Sequence, residues 1–150
     1  MVNAVHAAGV KISPQLWHVG SLRKPGVGPN PEYPSATPSG LLGPDKKVLE
    51  PLSTTEIDEL VTAYAQAASD AVRLGFDAIE LHGAHGYLID NFFWEGTNQR
   101  NDKYGGSVEN RTRFAVEIMQ AIRGEVGDDF PVILRFSQWK QQDFESKLAH

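Results

Sequence analysis

Apolar residues recur at helical spacing over residues 54–74, which predicts a long helix with one buried face. Ser53 and Glu56 stand at its start with the spacing of a capping box, in which each side chain accepts a hydrogen bond from the other residue's backbone N–H. Gly75 follows directly, and glycine ends a helix easily because it tolerates a positive φ. The residues of the buried face are Ile57, Leu60, Val61, Tyr64, Ala68, Ala71 and Val72.

A similar pattern predicts a second long helix over residues 107–126, ended by Gly127. Short apolar runs are typical of buried strands, and they span residues 10–17, 76–81 and 131–136. The resulting order is strand, loop, helix, strand, loop, helix, strand, so we expect an α/β fold with parallel strands joined by right-handed crossovers. This order fits a doubly wound sheet or a TIM barrel, and both bind ligands at the carboxyl ends of their strands.

The segments between these elements differ in character. Residues 18–52 hold seven of the nine prolines and show no sustained period, so we expect a long loop that is part of a site or lid, with a plain linker as the alternative. Residues 88–93 fit a single helical turn. The first nine residues resemble the last two turns of a helix, and residues 143–150 resemble the opening of another.

These ends lead us to expect a fragment of a longer chain. A complete TIM barrel needs roughly 250 residues, so three strands form at most half of one. We therefore expect one partial domain over residues 1–150, with about three parallel strands, two long helices and open sheet edges.

Composition narrows the function classes. The formal net charge is -5 and the 14 Lys and Arg residues form no basic stripe, which argues against nucleic-acid binding and favours a small-molecule partner. The chain has no cysteine, which fits a reducing compartment, and we expect a cytoplasmic protein. No signal peptide is visible, and the apolar runs are far shorter than the ~20 residues that span a bilayer, so we expect no membrane partner.

Two histidines and a tyrosine follow the second predicted strand directly, in the segment His82-Gly83-Ala84-His85-Gly86-Tyr87. Two imidazoles and a phenol at the carboxyl end of a strand can hold a developing oxyanion and deliver a proton. The interposed glycines favour a bent backbone with both rings facing one cavity. The alternative is a pair of solvated histidines on a loop.

His82 and His85 could instead ligate a metal, because neutral imidazoles are common zinc ligands. The usual zinc-binding helix places its histidines at i and i+4 with a glutamate beside the first, whereas these stand at i and i+3. Glu80 is the candidate third ligand, since it could point inward beside His82. A metal-dependent TIM-barrel enzyme is therefore kept as an alternative.

Arg135 lies inside the third apolar run, where an unpaired cation would be costly. We expect it to reach an anion, a polar ligand near the strand end, or Glu80 on the neighbouring strand. Gln15 and Trp17 end the first strand in a comparable place, and their two-residue step puts both side chains on one face. The segment Tyr104-Gly105-Gly106-Ser107 precedes a helix and could cradle a phosphate, but a structural turn with Ser107 as N-cap is favoured.

Several motifs then stand together along the chain: Gln15-Leu16-Trp17-His18-Val19-Gly20, His82-Gly83-Ala84-His85-Gly86-Tyr87-Leu88, Thr97-Asn98-Gln99-Arg100, Asp102-Lys103-Tyr104-Gly105-Gly106-Ser107, Glu109-Asn110-Arg111 with Arg113-Phe114, and Leu134-Arg135-Phe136-Ser137. In this combination the chain resembles the Old Yellow Enzyme family of FMN-dependent ene-reductases, also called NADH:flavin oxidoreductases. The resemblance runs through the whole chain and is most specific over residues 82–114.

The resemblance implies a (β/α)8 TIM barrel that binds FMN non-covalently at the carboxyl ends of its strands. This chain would supply about the third to fifth strands. Gln15 would bind the pyrimidine edge of the flavin, and Arg135 would stabilise the negative charge of the reduced ring. The chemistry implied is hydride transfer from NAD(P)H, through the flavin, to an activated alkene such as an α,β-unsaturated carbonyl or nitro compound.

The same resemblance assigns roles around the alkene. His82 and His85 would bind the carbonyl or nitro oxygen and polarise the double bond. Tyr87 would protonate the α-carbon, and Trp17 would line the pocket and select flat, conjugated substrates. We expect the fragment alone to bind FMN weakly or not at all. The other alternative is a half barrel without catalysis, in which two copies form a homo-oligomer by pairing their open sheet edges.

Overall fold

A computed structural model describes residues 1–24, 26–28 and 30–141. In chain order the helices and strands are α1 (Val2–Ala7), β1 (Gln15–Leu16), β2 (Leu41–Gly43), β3 (Lys46–Lys47), α2 (Thr54–Arg73), β4 (Ile79–His85), α3 (Leu88–Phe93), α4 (Val108–Val126) and β5 (Val132–Lys140), and a 3₁₀ turn covers Gly20–Leu22. The central sheet has three parallel strands in the order β1-β4-β5. Three parallel strands and two long helices were predicted, and both are present.

The capping box predicted for α2 forms. Ser53 Oγ accepts a hydrogen bond from the Glu56 backbone N–H at 3.2 Å, and Glu56 Oε2 accepts one from the Ser53 N–H at 2.8 Å. Gly75 follows the helix with φ of +84°. Ser107 caps α4 in the same way by accepting from the Asn110 N–H, so the structural-turn interpretation of residues 104–107 holds.

Strand alternation separates the core from the site. Ile79 and Leu81 of β4 are fully buried in the core shared with α2 and α4, whereas Glu80 between them faces the other side of the sheet. Each fully buried large apolar side chain contributes roughly 1.5–3 kcal/mol. The helices contribute Ile57, Phe114, Ile118 and Ile122 to the same core, all with no exposed surface.

The predicted strand boundaries need correction. The first strand is only Gln15–Leu16, because Pro14 has no N–H to donate, although its carbonyl still accepts from the Glu80 N–H at 3.0 Å. β4 does not end at residue 81 but continues to His85, so both histidines lie on the strand itself. β5 likewise runs past Phe136 to Lys140. Neither extension was predicted.

β5 is not a buried strand. It forms one edge of the sheet, with no described strand beyond it, and Phe136 and Ile133 are 72% and 47% exposed. The expectation that Arg135 lies in a buried strand is therefore wrong, and its side chain is exposed.

The long loop is more ordered than predicted. It contains a short antiparallel hairpin, β2–β3, and it is fastened to the rest of the fold by Arg100, whose guanidinium donates to the carbonyl oxygen of Pro38 at 2.7 Å and to that of Leu52. The predicted helical turn at residues 88–93 is present as α3, and the amino-terminal helix as α1. The helix expected over residues 143–150 lies outside the described residues.

Candidate active site

The sheet face opposite the helices carries the residues that the sequence singles out. Gln15 on β1 pairs with Glu80 on β4, and His82 pairs with Arg135 on β5. Trp17 follows β1 by one residue, and its ring centroid lies 6.3 Å from that of His82. The structure therefore brings these side chains together near the carboxyl ends of the strands.

The rings of Trp17, His82, His85 and Tyr87 pack against one another at this end of the sheet, and we call them the ring cluster. The Tyr87 ring lies edge-on to both Trp17 and His82, with a centroid distance of 5.2 Å in each case. The His85 ring stands 5.3 Å from that of His82. Edge-to-face packing at such distances holds rings in defined orientations. The two imidazoles and the phenol are thus neighbours, as predicted.

The His82 side chain is buried, but its hydrogen-bonding capacity is unused. The residue is 7% exposed, and neither ring nitrogen has a hydrogen-bond partner among the described residues. Buried polar groups in folded proteins are almost always hydrogen-bonded, so an imidazole left without partners indicates a binding position. The arrangement can donate one N–H to an oxygen atom brought in from outside.

Both histidines are shifted toward the neutral form. Burial lowers the pKa of His82, and the positive charges of His85 and Arg135 act in the same direction. Burial also lowers the pKa of His85, and Arg135 adds to the effect. At neutral pH each ring is therefore an uncharged hydrogen-bond donor rather than an acid.

A depressed histidine pKa makes stability depend on pH. Between the pKa of His82 in the folded chain and its usual value of 6.5, the unfolded chain binds more protons, so the free energy of unfolding is expected to fall as the pH drops through this window. Urea unfolding at pH values above and below 6.5 measures the effect. Burial raises the pKa of Asp90, which works in the opposite sense, so the comparison with His82→Asn isolates the ring. A pH dependence identical in the variant would contradict the prediction.

His85 occupies an unusual backbone conformation. Its φ is +63°, a left-handed value that costs a non-glycine residue roughly 1–2 kcal/mol. The end of β5 holds this conformation, because the His85 N–H donates to Ser137 Oγ at 2.9 Å and the His85 carbonyl accepts from the Gln141 N–H at 3.2 Å. The ring stacks on Trp139 with centroids 4.1 Å apart. In this conformation the His85 ring contacts both Trp139 and His82.

Tyr87 lies at the start of α3 with its hydroxyl at the rim of the cluster. The hydroxyl oxygen accepts a hydrogen bond from Gln141 Nε2 at 2.8 Å. A tyrosine hydroxyl can accept and donate at once, so this contact leaves its own proton available.

Gln15 and Arg135 flank the cluster on the outer strands. Gln15 Nε2 donates to Glu80 Oε1, so the carboxylate of Glu80 is engaged by Gln15. The expected salt bridge between Glu80 and Arg135 is not found, and no described residue forms an ion pair with Arg135. The Arg135 guanidinium therefore offers an exposed positive charge beside His82.

Among the described residues, the structure offers no third ligand for a metal site at His82 and His85. In the part of the chain that the structure describes, no group of three His, Cys, Asp or Glu side chains could hold a metal ion. Within those same residues, no helix combines the length and apolar character needed to cross a membrane.

Residues that support the site escaped sequence reasoning. Four such residues contact the site or its neighbours, although none was predicted to do so: Ser137 and Trp139 contact His85, Gln141 contacts Tyr87, and Lys140 contacts Asp90. The only available signal was their position directly after a predicted strand, where α/β folds build their sites.

A parallel sheet with helices on one face and polar side chains at its carboxyl ends defines part of a β/α enzyme fold. A family model described as the NADH:flavin oxidoreductase / NADH oxidase family matches residues 1–149. The chain is 45% identical over 139 residues to an NADH oxidase of Thermoanaerobacter brockii, covering 91% of this chain and 21% of that protein. It is 40% identical over 132 residues to 12-oxophytodienoate reductase 1 of Oryza sativa subsp. japonica, covering 85% and 35% respectively.

Solved structures agree. The fold matches an Old Yellow Enzyme from Pichia sp. with a TM-score of 0.86 and 34% identity, covering 95% of this chain and 40% of that one. It matches morphinone reductase in complex with tetrahydroNAD with a TM-score of 0.83 and 34% identity, covering 97% and 44%. The chain thus spans less than half the length of each of these relatives.

The chain belongs to the NADH:flavin oxidoreductase / NADH oxidase family, which includes Old Yellow Enzyme. The predicted family and the partial TIM barrel are confirmed. At the level of the family, FMN and a nicotinamide reductant are the expected cofactors, as the resemblance implied.

Proposed function

We propose that the complete barrel carrying this site is an FMN-dependent oxidoreductase that reduces activated alkenes with NAD(P)H. The observation that supports this most is the buried, unpartnered imidazole of His82 beside His85 and Tyr87. Two neutral donors and a phenol suit the binding of a carbonyl or nitro oxygen next to a site of protonation.

Gln15 and Arg135, on the sheet face opposite the helices, suit the binding of a flavin. The exposed guanidinium of Arg135 has no ion pair within the described residues and suits a ring system that becomes anionic on reduction. Gln15 offers an amide on the other outer strand, which suits a polar ring edge. When bound, FMN supplies the hydride chemistry, and the protein supplies orientation and charge.

His82 and His85 act as the oxygen-binding pair. As neutral imidazoles they donate N–H hydrogen bonds, which strengthen as negative charge develops on the substrate oxygen. Their lowered pKa values keep this donor form at neutral pH without a competing positive charge. The β-carbon of the alkene thereby becomes electron-poor.

Tyr87 delivers the proton to the α-carbon. Its oxygen accepts from Gln141, which fixes the hydroxyl and leaves its proton to donate. Trp17 packs edge-on against Tyr87 and is 52% exposed, so its ring can limit the site to flat, conjugated substrates.

This chain alone is expected to bind FMN weakly. The described residues supply Gln15 and Arg135 for the ring, but the chain covers only 40% of the Old Yellow Enzyme that it matches. Charge-assisted hydrogen bonds to a phosphate are among the strongest a protein makes. In TIM barrels the loops after strands seven and eight frequently bind the phosphate, whereas the resemblance assigns about strands three to five to this chain. Gel filtration after FMN addition should yield colourless protein at micromolar concentration.

The same column distinguishes the outcomes. Tight, stoichiometric retention of FMN by this chain would contradict the weak-binding prediction. The exposed apolar edge at Ile133, Leu134 and Phe136 favours a non-catalytic half barrel as the second candidate. A dimer that never oxidises NAD(P)H, even with saturating FMN and 2-cyclohexenone, would support that candidate over the enzyme.

A further inference from the structure

A buried ion pair lies directly behind the turn that carries His85 and Tyr87. Lys140 Nζ is 2.8 Å from Asp90 Oδ1, and the two side chains are 7% and 1% exposed. The pair joins the last residue of β5 to the first turn of α3. Neither residue belongs to the groups proposed to touch substrate or flavin.

Such a pair is a poor means of stabilising a fold. Removing two charges from water has a large desolvation cost, and well-packed apolar side chains of similar volume often stabilise a protein as well or better. The pair is better explained by a need to hold nearby backbone in one conformation. The contacts around the pair identify that backbone as the turn at His85 and Gly86.

Asp90 also holds the turn directly. Its second oxygen, Oδ2, accepts a hydrogen bond from the Gly86 N–H at 2.6 Å, and Asn91 Nδ2 donates to the Gly86 carbonyl at 2.9 Å. The first residues of α3 therefore bind both backbone groups of Gly86. Both backbone groups of His85, the residue before Gly86, are bound by Ser137 of β5 and by Gln141, which directly follows β5.

Two contacts link α3 to the end of β5. Lys140 donates to Asp90 and, at 3.3 Å, to the carbonyl of Ser137, and Gln141 Nε2 donates to the hydroxyl of Tyr87, directly before α3. The contact of Lys140 with Asp90 is the buried one of the two. His85 and Gly86 both have positive φ, so the turn is held in a conformation that few residues adopt unaided. A shift of α3 against β5 would change the angle between the His85 ring and the Tyr87 hydroxyl.

We propose that Asp90 and Lys140 are positioning residues that fix the orientation of His85 relative to Tyr87. They act through the backbone of the turn and touch no reacting atom. The expected effect on turnover rests on the proposed function, whereas the effect on the turn does not. The two effects can therefore be measured separately.

Three variants of the full chain test the proposal. Lys140→Met keeps the length of the side chain and removes its charge. The double variant Asp90→Asn/Lys140→Met leaves no buried charge, and the amide oxygen can still accept from the Gly86 N–H. Lys103→Met is the matched control, because Lys103 forms an exposed ion pair with Glu117 at 3.2 Å, away from the histidine turn.

The first measurement is NMR of the ligand-free chain. In the two Lys140 variants we expect shifted backbone amide signals of His85 and Gly86 and a weaker ring contact between His85 and Trp139. The amide signals of Ile79 and Leu81 should stay in place, since they report the core. If Lys140→Met fails to fold, the double variant decides. Unchanged His85 and Gly86 signals in the folded double variant would overturn the proposal.

The second measurement is turnover of 2-cyclohexenone with saturating FMN and NADH, expressed per folded molecule. Misorientation of a binding group can cost on the order of a hundredfold, so kcat/KM should fall on the order of tenfold to a hundredfold in the double variant and stay unchanged in Lys103→Met. A merely structural role would lower the folded fraction and leave kcat/KM per folded molecule at the wild-type value, which overturns the proposal. If the wild-type chain itself shows no turnover, as weak FMN binding would produce, the NMR result decides the role of the pair.

Discussion

Replacing His82 and His85 together by alanine is expected to reduce kcat/KM for an enone by at least about a hundredfold, with the protein still folded. Removing one donor to a developing oxyanion typically costs on the order of 10²–10³ in rate, and this variant removes both. The effect should be large because the His82 nitrogens have no other described partner and are free to bind the substrate oxygen. The measurement is steady-state oxidation of NADH with saturating FMN and a range of 2-cyclohexenone concentrations.

Two controls sharpen this result. Asparagine at both positions retains an N–H donor, so that variant should keep part of the activity that alanine loses, whereas a metal site would lose its metal. His6→Ala is the second control. His6 binds Asp77 at 2.8 Å just before β4 begins, at the opposite end of the strand from His85, so this variant should leave turnover unchanged. Full activity of the double alanine variant would refute the assigned role of the pair.

Gly105→Ala is expected to be strongly destabilising. A Cβ at this position would lie 2.0 Å from the carbonyl oxygen of Arg100 and 2.5 Å from its carbonyl carbon. The backbone there cannot move away easily, because the Arg100 side chain is tied to the Pro38 carbonyl and to Asp102. We expect a loss of about 3 kcal/mol or more in the free energy of unfolding, measured by urea denaturation.

The neighbouring glycine provides a matched comparison. Gly106 has φ of +83°, and a Cβ there would meet nothing within 4 Å, so Gly106→Ala should cost only the conformational penalty of about 1–2 kcal/mol. Equal urea midpoints for the two variants would show that the close approach to Arg100 is not what requires glycine at position 105.

The long helices were predictable from the sequence because their signals are local. Ser53 and Glu56 specify the start of α2 within four residues, and Gly75 specifies its end, so no distant contact is needed to place them. The segment from His82 to Tyr87 was recognisable as a candidate site for a related reason: the side chains proposed to carry the chemistry are close together in sequence.

The strand ends and the supporting residues were not predictable in this way. The strand continues from Ser137 to Lys140 because Lys140 pairs with His85 and Ser137 Oγ accepts from the His85 N–H, and both contacts join residues more than fifty positions apart. Lys140 is buried only because Asp90 neutralises it. Arg135 was expected in a buried strand, yet exposure of an edge strand depends on its neighbours and not on its own residues.

Alternate residues of β4 face the hydrophobic core and the candidate site. Ile79 and Leu81 point into the helix layer, and Glu80 and His82 point to the opposite face. In evolutionary terms, selection for a new substrate can act on the residues that face the site while the residues that face the core keep the fold intact. Descendants of this sequence can therefore diverge in chemistry along a strand whose packing stays the same.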